Sequence, residues 1–137
     1  MHALLLRLAR PLARPLAVAA ASAAMAIAAP AIAHPKVVTA TPAEGATLAQ
    51  VPAVSLTFSE ALVADGSSVS IVMTAMPGMA DHPPMKMGGV KVALSEDKLT
   101  LTATPARPLP KGSYAAKWFV TAANGHTVEG ALTFTVQ

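Results

Sequence analysis

Five methionines and one histidine stand within the fifteen residues Met73 to Met87, MTAMPGMADHPPMKM. Met73, Met76, Met79, His82 and Met85 recur at an interval of three, and Met87 closes the run. Thioethers are polarizable donors that suit monovalent copper, and imidazole accepts either oxidation state, so the stretch reads as a soft-metal loop. A methionine stripe at helical spacing is more often core than metal site. Here Pro77, Gly78, Pro83, Pro84, Gly88 and Gly89 break any helix. An extended polyproline-like turn, with about three residues per turn, would instead set the five spaced side chains on one side.

The remaining donors are histidines, and their value depends on processing. Arg7, Arg10 and Arg14 precede an alanine-rich apolar stretch from Leu16 to Ala29, and Ala31-Ile32-Ala33 fits a small-x-small cleavage site. Residues 1–33 therefore read as a Sec-type export signal cleaved after Ala33, and residues 34–137 as the exported domain. Cleavage there makes His34 the first residue, which then offers its free amine and its imidazole together. Pro35 has no backbone N–H and cannot add a deprotonated amide ligand. His82 lies inside the Met-rich loop, residues 73–88, and His126 follows an Asn-Gly pair. The amine and ring of His34 plus a second imidazole make three nitrogen donors, a set that suits square-planar divalent copper.

Composition excludes several alternatives. The signal removes three of ten basic residues, leaving seven against seven acidic ones, so no basic excess argues for nucleic acid. Outside the signal no apolar run is long enough to span a bilayer. Cysteine is absent, which rules out disulfides and a blue-copper centre, since the latter needs a thiolate. There is no phosphate-cradling glycine loop, spaced acid pair or nucleophile motif.

Strands must position these donors. Val54, Leu56 and Phe58 alternate with polar residues, as do Leu99, Leu101 and Ala103, and Leu132, Phe134 and Val136. Lys36 to Ala40, Ser68 to Met73, Gly89 to Leu94 and Ser113 to Thr121 complete about seven strands, separated by turn residues such as Asp65-Gly66 and Asn124-Gly125. The pattern predicts an all-β domain, a single antiparallel Greek-key sandwich or barrel with the Met-rich loop as an insertion. Tyr114 and Trp118 belong to its core.

Across residues 34–137 the chain resembles the CopC family of periplasmic copper-resistance proteins. The resemblance is carried by His34, Thr41-Pro42-Ala43-Glu44-Gly45-Ala46, Leu56-Thr57-Phe58-Ser59-Glu60, Leu109-Pro110-x-Gly112-x-Tyr114-x-x-x-Trp118, Gly125-His126 and Gly130-x-x-x-Phe134. It implies a cupredoxin-like or immunoglobulin-like sandwich that sequesters or carries copper in the periplasm. It also implies divalent copper at His34 and His126, and monovalent copper at several of Met73, Met76, Met79, Met85 and Met87, with His82 able to serve either site. An inner-membrane copper transporter of the same system is the implied partner. Asn124 departs from the pattern, which leads one to expect aspartate two residues before His126. Among Glu60, Asp65, Asp81 and Glu129, Asp81 is the candidate to replace that carboxylate, because it adjoins His82. Two other functions compete: a copper-brace oxidative enzyme acting on polysaccharide, disfavoured by few aromatics and the Met cluster, and an exported immunoglobulin-like structural domain, which leaves that cluster unexplained.

Overall fold

A computed structural model of the protein describes residues 34–79, 81 and 83–137. Residues 1–33, where the sequence predicts an export signal, and His82 lie outside the described residues. Among the described residues nine strands follow in order: β1 (Val37–Thr41), β2 (Ala46–Leu48), β3 (Val54–Phe58), β4 (Ser68–Ala75), β5 (Met85–Lys86), β6 (Lys91–Leu94), β7 (Thr100–Thr104), β8 (Gly112–Thr121) and β9 (Thr127–Val136). They form a four-stranded sheet, β1-β3-β7-β6, and a five-stranded sheet, β2-β9-β8-β4-β5.

Alternation decides which side chains enter the core between the sheets. Val54, Leu56 and Phe58 of β3, Leu101 and Ala103 of β7, Val69, Ile71 and Met73 of β4, Tyr114, Ala116 and Val120 of β8, and Leu132, Phe134 and Val136 of β9 are all buried. Each fully buried large aliphatic or aromatic side chain contributes roughly 1.5–3 kcal/mol. Tyr114 stacks on Phe134 with ring centroids 5.4 Å apart, and its hydroxyl donates to the Pro110 carbonyl at 2.5 Å. That bond ties the 105–110 segment to the core. Trp118 meets Phe58 edge-on and lies over Gly130, where any added Cβ would run into its indole ring. Both aromatics are packing residues, as the sequence predicts.

Three expectations need correction. The fold has two strands more than seven, because β2 and β5 are only three and two residues long. The sheets are not wholly antiparallel, since β2 pairs with β9 in parallel, Ala46 opposite Phe134. Nor is the Met-rich stretch a polyproline-like turn. Met73 is buried within β4, Met76 to Met79 form a tight turn, and Met85 begins a strand that pairs back onto β4.

The long strands also set the distance between the candidate donors. β8 has ten residues, which at strand rise span roughly 30 Å. Its Gly112 end adjoins the end of β4 and the Met-rich segment, through Ser113 opposite Ala75. Its Thr121 end adjoins the single-turn 3-10 helix Ala64–Gly66 and the hairpin that carries His126.

Candidate metal centres

The histidine end is assembled from backbone constraints. Pro35 is fully buried, and the next residue, Lys36, donates its N–H to Ser59 Oγ at 2.9 Å and accepts from the Ser59 N–H at 2.8 Å. Exposed His34 is thereby held beside the end of β3. On the facing hairpin the Gly125 N–H donates to the Ala122 carbonyl, and the Ala122 N–H to the His126 carbonyl. Gly125 has φ of 89°, whereas Lys98 is the described non-glycine residue with positive φ. The loop is thus a turn closed by a left-handed glycine, the three-residue hairpin form, rather than a two-residue Asn-Gly turn. It brings His126 against His34, with ring centroids 4.8 Å apart and planes at 73°.

Asn124 organises this end. Its Oδ1 accepts the His126 N–H at 3.0 Å, and its Nδ2 donates to Glu60 Oε2 at 3.3 Å. The carboxylate held nearest the hairpin is therefore Glu60. Asp81 lies instead in the Met-rich segment off the far end of β4. Nothing local in the sequence marks the Glu60 link, which spans 64 positions. Among the described residues no three His, Cys, Asp or Glu side chains converge as a metal-holding group. His34 and His126 therefore need another donor, such as a free amine on His34, to complete a coordination set.

The methionine end is graded from core to solvent. Met73 is 2% exposed and lies in the core, opposite Tyr114 and Met85 in register. Its terminal methyl lies close to Gly112, whose φ of 158° and close approach to the Ala75 carbonyl leave no room for a Cβ. Met76 and Met87 are partly buried against the core, while Met79 and Met85 are 55% and 45% exposed. Pro77 and Gly78, the latter at φ of 76°, occupy the two central positions between Met76 and Met79, and the Met79 N–H donates to the Met76 carbonyl at 3.0 Å. This is a type II turn, whose third position requires a positive φ. The Met87 N–H donates to the Ile71 carbonyl, so strand alternation puts Met85 and Met87 on the face that Met73 and Ile71 share. Met76, Met79, Met85 and Met87 thus follow one sheet edge, and Met73 is buried in the adjoining core. A groove between Met87-Gly88-Gly89 and the 105–110 segment flanks this edge, and Gly89 approaches Ala106 too closely for any larger residue.

The ends share no described donor. No helix among the described residues is long and apolar enough to cross a membrane.

Comparison with known proteins agrees with this architecture. The CopC domain model matches residues 37–137. Copper resistance protein C of Pseudomonas syringae pv. tomato is 44% identical over 118 residues, covering 85% of this chain and 90% of that protein. The protein of the same name from Escherichia coli is 34% identical over 113 residues, covering 82% and 89%. Among solved structures, PcoC, described as a methionine-rich copper resistance protein from Escherichia coli, superposes with a TM-score of 0.69 at 32% identity, covering 77% of this chain and all of that one. CopC from Methylosinus trichosporium OB3b gives 0.62 at 29% identity, covering 76% and 94%. The domain match spans both the histidine hairpin and the methionine edge, and on these matches the chain belongs to the CopC family.

Proposed function

We propose that this protein is a periplasmic copper carrier of a copper-resistance system, with a divalent site at one end of the sandwich and a monovalent site at the other. The single observation that carries the reading is the meeting of His34 and His126, 92 positions apart in sequence, with rings 4.8 Å apart. Export and cleavage after Ala33 would supply the third nitrogen, the His34 amine, and Glu60 is near enough to the hairpin to balance the charge of a divalent ion. Met76, Met79, Met85 and Met87 would bind the monovalent ion. Soft donors at two levels of exposure allow ligands to be exchanged one at a time, which suits transfer more than permanent holding. The names of the relatives support copper resistance, and a receiving or donating component in the inner membrane is the natural partner for an exported carrier.

The amine ligand is directly testable. Divalent copper is titrated into protein beginning at His34 and into the same protein with one extra alanine before His34, with electron paramagnetic resonance as the readout. The extended form is expected to bind at least about tenfold more weakly with an altered spectrum. Identical affinity and spectrum would remove the amine from the site.

A further inference from the structure

The balanced charge of residues 34–137 conceals a polarity along the long axis of the sandwich. At the methionine end Lys86 lies between Met85 and Met87, Arg107 shares the groove with Met87, Lys111 borders a depression with Met76, and Lys91 begins β6 opposite Thr104. The acids of that end are Asp81 and Glu44, the latter bonded to Thr133 at the level of Lys86, so four cations stand against two anions. At the histidine end Glu60, Asp65, Glu96, Asp97 and Glu129 stand against Lys36 and Lys98, five anions against two cations.

These fields favour different cargo. An acidic rim draws a free divalent cation toward His34 and His126. A basic rim repels a free cuprous ion from the thioethers but attracts an anionic surface. The exposed thioethers Met79 and Met85 are at the tip of that same end, where a second set of donors can reach a bound ion. Lipid headgroups would match the charge yet bring no soft donor for ligand exchange.

Resting on the reading of this edge as a monovalent copper site, we propose that the methionine end is a docking face for an acidic protein surface bearing its own thioethers. Lys86, Lys91, Arg107 and Lys111 steer that surface onto Met79 and Met85. Monovalent copper then reaches or leaves this site through a protein partner rather than from free solution.

The test uses protein loaded with monovalent copper and two acceptor peptides, each with two methionines separated by two residues, one flanked by glutamates and the other by lysines. At low salt, stopped-flow transfer to the glutamate peptide is expected to be about tenfold or more faster. That preference should fade near ~0.5 M salt and invert in the triple variant Lys86→Glu, Arg107→Glu, Lys111→Glu. Divalent copper binding at the far end reports whether the variant is folded, and wild-type discrimination is decisive by itself. Equal rates at low salt would overturn the proposal, as would equal rates combined with binding to vesicles containing phosphatidylglycerol. If the wild-type protein fails to hold monovalent copper against a chromophoric chelator, the copper reading of the edge falls and the docking proposal with it. If it holds copper and treats the peptides alike, only the docking proposal falls.

Discussion

At the His34 end the donors are few and the backbone fixes them, whereas at the Met73–Met87 end they are many and graded in exposure. His34 is held by buried Pro35 and the reciprocal Lys36–Ser59 bonds, and His126 by a turn whose closing glycine and Asn124 side chain leave it little freedom. The methionines occupy a type II turn and a two-residue edge strand, with Met79 and Met85 largely in solvent. A fixed nitrogen set suits a divalent ion with firm geometric demands, and a loose thioether set suits a monovalent ion that must move on. The difference teaches that one sandwich can present nitrogen donors and thioether donors apart by placing them at opposite ends of its longest strands.

Substitutions can break this comparison at either end. His126→Ala should weaken divalent copper binding by about a hundredfold or more, since losing a direct ligand costs at least as much as losing its outer-shell support, while monovalent binding is unchanged. Paired Met79→Leu and Met85→Leu should do the reverse. Isothermal or chelator-competition titration of both ions with both proteins checks this, and cross-effects would mean that the ends are coupled.

Within the methionine set, burial predicts a second contrast. Met73→Ala should cost about 2–5 kcal/mol of stability in denaturant unfolding, because it opens a cavity in the core. Met79→Ala should leave the unfolding midpoint nearly unchanged. A Met73 variant that kept its stability and lost monovalent copper would reverse the assignment.

Asn124→Asp sharpens the histidine end. It replaces the donor to Glu60 with a second carboxylate, so the metal-free protein should lose a little thermal stability. A divalent ion relieves that repulsion, and affinity for divalent copper should rise by about tenfold without change at the monovalent site. Parallel melting and competitive titration check both signs.

The smallest effect concerns acid. Hydrogen bonds from the Thr133 hydroxyl and N–H hold the Glu44 carboxyl below its usual range, and those from Ser95 and Leu99 do the same for Asp97. A carboxyl with a depressed folded-state pKa contributes stability above its unfolded value and loses that contribution as pH falls through the folded one. Unfolding midpoints should therefore decline modestly below about pH 4, and Thr133→Val should flatten that decline.

Much of this was legible in the residues, and the misses have physical reasons. Strands with a clean period of two, β3, β7 and the second half of β9, stand out because each buries one face. The first half of β9 is hidden by Gly130, which gives up a side chain so that Trp118 can lie across it. β2 and β5 are too short to show any period, and β2 also depends on a partner far away in sequence, β9. Met73 carries two signals at once. Its spacing from Val69 and Ile71 marks a core position, while its spacing from Met76 and Met79 marks a ligand, and burial follows the former. The pairing of Glu60 with Asn124 left no local trace, because it is made by tertiary contact between two loops.

Two independent sites in one molecule are the core of the proposed function. Protein beginning at His34 is loaded with one equivalent each of monovalent and divalent copper under anaerobic conditions and followed by native mass spectrometry with X-ray absorption. Two independent sites would give a species holding two copper ions, one with sulfur neighbours and one with nitrogen and oxygen neighbours. A single bound copper, with either ion displacing the other, would contradict it.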